Sequence, residues 1–474
     1  MIAPYFGNSV YVWGSLIGVV LAALSLGYFL GGRISTRWPR PGPFLALVFL
    51  TGAAIYPIPH FAGAVLGAIA RHDFGPRLNP LLGSAALFFL PSVLAGTISP
   101  YAVRLRARTV EGVGGVAGVL YALSTLGSIA GTLLAAFVLI SAFGVRAIIQ
   151  QLGAAEMGLA VVGLVWARRQ FAAAGAAAGM AAVLVLAGGT PAPEAGVIYA
   201  KDTVYHRITV ADEGSFRFLR LDNYWQSARD QTAPLNTIFA YTDYLHLPVL
   251  FDPGFQRVLF IGMGGGTAPS RFLHDYPYAA VEVVEIDPAV VATARRFFAL
   301  PDSSRLRVHV TDGRLWLRRA TKRYDLIILD AYLIDTIPFH LATREFYQEA
   351  AAHLKPGGVL ASNVIGAVRG PSSRLFRAFY KTLRSVFPSV YAFPVGGGGP
   401  DAVRNIILVA TAGPPLTRNE VVARAETAST LGGVRIVGFS HEAEDLYDAP
   451  IDTDDVPVLT DDFAPTDALI GTLR

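Results

Sequence analysis

The chain has 474 residues, 53% of them hydrophobic and 16% charged, and no cysteine. Ordinary soluble chains carry about 25% charged residues, so this composition excludes one soluble globule and a disordered chain; the missing thiols exclude disulfides, iron–sulfur clusters and thiolate zinc sites. The net charge of +4 divides unevenly: residues 1–196 hold 11 Arg against Asp73, Glu111, Glu156 and Glu194, and the rest is mildly acidic. The basicity thus lies between apolar runs, where it orients a membrane protein, and the polar part is a poor candidate for nucleic acid.

Residues 1–32 are uncharged, and Val10–Gly32 is long enough to cross a bilayer before Arg33, Arg37 and Arg40. A second apolar run, Pro41–Ala70, is interrupted by Pro57, Pro59 and His60. A third, Leu78–Val103, ends in Arg104, Arg106 and Arg108. Gly112–Val145 is a fourth, Ala147–Ala167 a fifth broken by Glu156, and a sixth follows Arg168 and Arg169 to Gly189. Thr190–Gly196 reads as a linker. The first run is not a cleavable signal peptide, because it lacks a basic start and further apolar runs follow. Arg residues after runs one, three and five outnumber those after runs two and four by 8 to 3. With six crossings, the positive-inside rule leaves the C-terminal half outside; a second or sixth run that fails to cross changes that. Gly127-Ser-Ile-Ala-Gly131 has the small-xxx-small spacing of closely packed helices. Glu156, ionisable within an apolar segment, is expected to face protein or a cavity, as a packed polar group or as a ligand or proton carrier.

From Val197 the pattern changes. Val197–Ala200, His206–Val210 and Phe216–Leu221 are short β-type runs separated by turn residues, which predicts an antiparallel ribbon. From Arg257 strands and helices alternate: strands at Val258–Ile261, Val281–Ile286, Leu306–Val310, Leu326–Leu329, Gly358–Val364 and Ile406–Ala410, with helices such as Ala289–Ala299 and Thr343–Leu354. The expected fold is therefore an N-terminal α-helical transmembrane bundle followed by a C-terminal α/β doubly wound domain, Rossmann-like and class I methyltransferase-like, with a small β ribbon before it. The expected boundaries are 1–190 for the membrane domain, 191–196 for the linker, 197–256 for the ribbon and substrate-gating segment, and 257–474 for the catalytic domain.

The first α/β strand runs into Gly262-Met-Gly-Gly-Gly-Thr267, where Gly262, Gly264 and Gly265 let a ligand approach backbone N–H groups at a helix start. The second strand ends in Glu285-Ile-Asp287, where an acid can accept from ribose hydroxyls; Asp287 also suits a helix N-cap. The third ends in Asp312-Gly313, suited to an adenine edge, and the fourth in Asp330. Glycines or acids thus end four successive strands at the edge where this fold binds ligands, which points to a nucleoside-containing ligand. No Gly-Lys-Ser/Thr follows the loop, so it is not a triphosphate cradle. NAD stays possible, but an adenosyl sulfonium, which has no pyrophosphate, fits better. Val458-Leu-Thr-Asp-Asp462 either places two acids over the site or forms a capping turn, and Gly396–Gly399 reads as a flexible hairpin tip.

Leu221-Asp-Asn-Tyr-Trp-Gln226, Tyr241-Thr-Asp-Tyr-Leu-His-Leu-Pro248, Val258-Leu-Phe-Ile-Gly-Met-Gly-Gly-Gly-Thr267, Glu285-Ile-Asp287, Tyr324-Asp-Leu-Ile-Ile-Leu-Asp330 and His340-Leu-Ala-Thr-Arg-Glu-Phe-Tyr347 occur in order. Over roughly residues 197–412 the set resembles the spermidine synthase (polyamine aminopropyltransferase) family, and the apolar half resembles that of its membrane-fused members. In those a further helix often precedes the segment similar to Ala3-Pro-Tyr-Phe-Gly7, which implies a late start here. The resemblance implies decarboxylated S-adenosylmethionine as donor, no metal, an amine acceptor and a homodimer; intact S-adenosylmethionine stays open as donor. It implies Asp330 as the catalytic aspartate. Gln226 and His246 become donor contacts, Glu285 the ribose acceptor and Asp312 the adenine-side residue. Tyr241 and Asp243, with Tyr332 and Asp335, fall on the substrate side.

Two positions depart from the pattern. The family's glycine loop usually carries an Asp that holds the donor's terminal amine, and Gly262–Thr267 has none. Its second acid, three residues after the catalytic Asp, is replaced by Leu333. The acceptor, or the donor's chain, has therefore changed, and attack by the donor's own amine or carboxylate becomes possible. A methyltransferase on the same fold, and a polyamine or nucleoside transporter or sensor with a non-catalytic binding domain, are the alternatives. The donor is cytosolic, so the catalytic domain is expected on the cytoplasmic side of the cell (inner) membrane, against the six-span Arg count.

Overall fold

The computed structural model describes all residues except 7–9, 76, 108, 167–194, 333–336, 431–433 and 471–474. Two compact units emerge: Met1–Ala195 with Lys201–Arg207, and Gly196–Ala200 with Ile208–Arg474.

The first unit is helical: α1 Ala3–Phe6, α2 Val10–Arg37, α3 Pro41–Ile55, α4 Ile58–His72, α5 Leu78–Arg106, α6 Val113–Leu134 and α7 Ile140–Trp166. Among the described residues, four stretches are long and apolar enough to cross a membrane: Tyr11–Arg37, Leu78–Arg106, Val113–Leu139 and Val145–Trp166. The second apolar run is two helices, α3 and α4, bent by 53°. Pro57 and Pro59 cause the break, since neither has an N–H to continue the ladder. The sixth run and nearly all of the linker lie outside the described residues. Glycines bring backbones together where α2 meets α5. A Cβ on Gly27 would stand 2.3 Å from the Val93 carbonyl oxygen, and one on Gly31 2.5 Å from that of Thr97. The packing expected of Gly127 and Gly131 is not found: neither has a neighbour within 4 Å among the described residues. The same four-residue spacing in Gly27-Tyr-Phe-Leu-Gly31 is the one used for close packing.

The second unit opens with a four-stranded sheet in the order β1-β2-β3-β4, formed by β1 Val197–Asp202, β2 Arg207–Glu213, β3 Phe216–Leu221 and β4 Tyr224–Asp230. The fourth strand was not anticipated. It follows β3 through a tight turn at Asp222, where φ is 56°, and pairs antiparallel with a bulge at Leu219/Arg220.

Seven further strands build the main sheet: β5 Arg257–Ile261, β6 Ala280–Glu285, β7 Leu306–Val310, β8 Tyr324–Leu329, β9 Leu354–Gly366, β10 Ser389–Pro394 and β11 Arg404–Thr411. Their order is β10-β11-β9-β8-β5-β6-β7. The pairs β5–β6, β5–β8, β6–β7 and β8–β9 are parallel, and β11 runs antiparallel to both β9 and β10. The β5 and β8 cores, Val258–Ile261 and Leu326–Leu329, are buried on both faces, as expected for central strands under helices. The remaining helices are α8 Tyr241–Tyr244, α9 Thr267–Asp275, α10 Pro288–Phe297, α11 Gly313–Arg319, α12 Arg344–Ala352, α13 Arg374–Arg384, α14 Arg418–Thr430, α15 Phe439–Glu444 and α16 Thr466–Ile470. This is the doubly wound, methyltransferase-type fold expected. Strand order reverses between β5 and β8, and ligands of such sheets bind at the carboxyl ends beside that switch point. The Gly396–Gly399 tip is not a loose hairpin end: Arg404 donates to the carbonyls of Gly396 at 3.0 Å and Gly397 at 2.7 Å.

Candidate active site

The glycine loop leaves β5 at the switch point. Gly262 has φ 95° and Gly264 φ 52°, a region costly for other residues. Both also lie against backbone or side chain. A Cβ on Gly262 would meet the Asp330 carbonyl oxygen at 2.2 Å, and one on Gly264 the Ser227 hydroxyl at 2.7 Å. The Gly265 N–H donates to Ser227 Oγ at 2.8 Å. The Gln226 carbonyl lies 3.6 Å from where that Gly264 Cβ would stand. Strand β4 thus braces the loop from above, and Ser227 contributes a contact that the motif reading missed.

Glu285, at the end of β6, is buried. Its Oε2 accepts from Met263 N–H at 3.1 Å and its Oε1 from Asp287 N–H at 2.9 Å. These bonds tie the loop to β6. Asp287 itself caps α10 by accepting from Ala289 N–H at 2.8 Å. Asp312 caps α11 through Leu315 N–H at 2.9 Å, and Gly313 packs on Ile261. The second Asp312 oxygen receives His340 Nε2 at 2.9 Å, and that hydrogen bond holds its carboxyl below the usual carboxylate range. The expected adenine-side residue therefore has a side-chain partner that the linear motif did not disclose.

Asp330 follows β8, its N–H on the Ile261 carbonyl at 2.9 Å. Its Oδ1 accepts from Asn363 Nδ2 at 2.9 Å and its Oδ2 from the Tyr241 hydroxyl at 3.4 Å. Burial pushes the Asp330 carboxyl up, and these two donors oppose it. Tyr241 is itself raised well above the usual phenol range by burial and by the Asp330 charge, so it stays a donor. Asn363 lies on β9 and is 2% exposed. Its Oδ1 accepts from Asn405 Nδ2 of β11 at 3.0 Å, which fixes the amide with its nitrogen towards Asp330. Sequence reasoning missed both asparagines. The available signal was an Asn inside Gly358–Val364, an otherwise apolar run.

Other expected residues are placed elsewhere. His246 is fully buried in the core: Nδ1 meets the Tyr276 hydroxyl at 2.8 Å and the ring lies 4.2 Å from that of Phe272. Burial lowers it to about 3, so the imidazole is neutral, and its Nε2 has no hydrogen-bond partner among the described residues. Asp243 does not share the Tyr241 position. It sits two residues on in a helical turn, on the other side, accepting from Thr237 Oγ1 at 2.5 Å; burial raises its carboxyl. The Tyr332 hydroxyl donates to the Asn363 carbonyl at 2.8 Å. Asp335 and Leu333 lie outside the described residues. Asp461, one of the two acids near the C-terminus, serves the turn ahead of α16: it binds Arg314 at 2.7 Å and Thr343 Oγ1 at 2.7 Å.

A family model for the spermine/spermidine synthase domain matches residues 238–395. The polyamine aminopropyltransferase of Vibrio vulnificus (strain CMCP6) is 35% identical over 208 residues, covering 42% of this chain and 68% of that protein. The chain belongs to the spermidine synthase-like (polyamine aminopropyltransferase) family. It is also 30% identical over 152 residues, 30% of its length, to the eEF1A lysine and N-terminal methyltransferase of Bos taurus, covering 21% of that protein. A crystal structure of a probable spermidine synthase from Corynebacterium glutamicum ATCC 13032 aligns over 56% of this chain and 99% of its own, at 22% identity and a TM-score of 0.44. The family is one of transferases, and the α/β unit is an aminopropyltransferase-like enzyme of polyamine biosynthesis.

Proposed function

We propose that the protein is a membrane-anchored transferase that displaces methylthioadenosine from an S-adenosyl sulfonium donor. The observation that carries this reading is the Asp330 carboxyl, held by Tyr241 and Asn363 next to a glycine loop at the switch point. Gly262–Gly265, Glu285 and Asp312 hold the adenosine, with Gln226 on the donor chain. An amine nitrogen attacks the carbon bonded to the sulfonium, the C–S bond breaks, and its electron pair neutralises the sulfur as methylthioadenosine leaves. The amine must be neutral to attack. Asp330 takes or orders the proton it sheds, and its partly desolvated carboxylate also favours the cationic sulfonium. Decarboxylated S-adenosylmethionine is the preferred donor; the acid-free loop keeps intact S-adenosylmethionine and internal displacement open.

Residues 1–190 form the membrane anchor in this reading, 191–196 the linker, 197–256 a gating segment and 257–474 the catalytic domain. It places the chain in the cell (inner) membrane, with the catalytic domain on the cytoplasmic side where the donor is made, as a homodimer.

Mass spectrometry of products from both donors, with and without putrescine, tests the reading. Methylthioadenosine is expected, together with at least a hundredfold loss of turnover in Asp330→Asn. The similarity to a methyltransferase favours a second reading, methyl transfer, whose product is S-adenosylhomocysteine. That product without methylthioadenosine replaces the first reading with the second.

A further inference from the structure

The helical unit contains a carboxylate that the α/β chemistry does not use. Glu156 sits inside α7, where an ionisable side chain costs a few kcal/mol unless something compensates it. Its surroundings are set by two glycines. A Cβ on Gly52 of α3 would stand 2.5 Å from the Gly153 carbonyl oxygen and 3.0 Å from Glu156 Cβ; one on Gly153 would stand 2.7 Å from the Tyr56 nitrogen. Glu156 therefore starts beside the last turn of α3, close to the 53° bend between α3 and α4.

That bend is rich in acceptors. Because Pro57 and Pro59 have no N–H, the carbonyls of Ala53 and Ile55 lack the amide that an unbroken helix would supply four residues on. Gln150, on the same face of α7 as Gly153 and Glu156, approaches His60 of α4 with Nε2–Nε2 at 3.3 Å. The Tyr56 ring, 6% exposed, lies 6.2 Å from the His60 ring. Glu156 Oε2 is buried and has no hydrogen-bond partner among the described residues. No Lys or Arg occurs in α3 or α4 before Arg71.

A buried carboxylate oxygen without a donor, on a residue packed beside the last turn of a helix whose end carbonyls lose their amides to prolines, suits a cation. One negative charge matches a monovalent ion; calcium or magnesium would ask for more oxygen ligands and more charge. We propose that the α3–α4 bend and Glu156 form a binding site for a primary alkylammonium ion. Its ammonium offers three N–H donors to the carboxylate and the carbonyls, and its methylenes suit the apolar surroundings. The choice of an amine over sodium rests on the amine chemistry proposed for the α/β unit; the cation site does not.

Labelling of the full chain in nanodiscs with dicyclohexylcarbodiimide, which attacks carboxyl groups in apolar surroundings, tests this. Peptide mapping is expected to find Glu156 modified, with putrescine slowing the modification at least fivefold and equimolar sodium leaving it unchanged. Glu156→Gln removes that label and keeps methylthioadenosine release within twofold. Asp330→Asn, which removes turnover, keeps the putrescine protection. Protection in a protein that releases no methylthioadenosine supports the site while removing the catalytic reading. Absence of label at Glu156, labelling that putrescine leaves unchanged, or protection by sodium equal to that by putrescine overturns the proposal.

Discussion

Replacing Asn363 by leucine probes the Asp330 arrangement by keeping the branched shape of the side chain while removing its donor and acceptor. Asp330 accepts from two side chains, and Asn363 is the shorter contact at 2.9 Å against 3.4 Å for Tyr241. A hydrogen bond to a charged group contributes about 1.5–3 kcal/mol, and about 1.4 kcal/mol is a factor of ten. The loss in kcat/KM for methylthioadenosine release should therefore be roughly 10- to 150-fold. The pH profile carries a sharper signature. Asp330 already titrates above the usual carboxylate range because of burial, and Asn363 opposes that rise. The carboxylate is the form that takes a proton, so activity climbs as pH rises through this titration. Without Asn363 the carboxyl rises further, and the acidic limb of kcat/KM moves to higher pH. Rates from pH 5 to 10, with a thermal melt as fold control, decide the matter. Unchanged kcat/KM, or a uniform loss with an unmoved limb, would refute the role given to Asn363.

Three further outcomes are expected. Tyr241→Phe removes the other Asp330 donor and should lower kcat/KM about tenfold while Tm stays within a few degrees. Gly262→Ala combines a forbidden backbone region with a clash on the Asp330 carbonyl, so adenosyl binding measured by calorimetry should fall more than tenfold. Glu442, on α15, is pushed up to about 8, first by burial and then by Asp243 and Asp445. The folded state keeps this proton after the unfolded chain has lost it, so the wild type loses stability as pH rises from about 4.5 towards 8. Glu442→Gln avoids that loss: its Tm advantage should widen by roughly 5–10 °C between pH 5 and pH 8 and level off above, and a pH-independent difference would contradict the assignment.

Most of the catalytic edge was legible because its signals are local. Largely apolar strands end in Gly262, Glu285 and Asp330, and a change from apolar to acidic or glycine where the strand pattern stops marks a strand end. Contacts set by sheet order were not legible. Asn363 reaches Asp330 on one side and Asn405 on the other because β8, β9 and β11 are neighbours, which chain order does not disclose. His340 on Asp312 and Arg314 on Asp461 likewise join residues far apart in sequence. His246 shows the opposite failure. A histidine in a recognisable motif invites a functional role, yet its environment is decided by Phe272 and Tyr276, which follow it by a helical segment. In the helical unit, hydropathy located the long helices, but which glycine pair packs depended on which helices met.

Hydrogen–deuterium exchange with methylthioadenosine tests most directly whether this sheet edge holds an adenosyl group. Slowed exchange confined to peptides spanning Gly262–Thr267, Glu285–Asp287 and Asp330, and lost in Glu285→Gln, is the expected result. Saturating ligand that leaves those peptides unprotected, or protects a different face of the sheet, would contradict it.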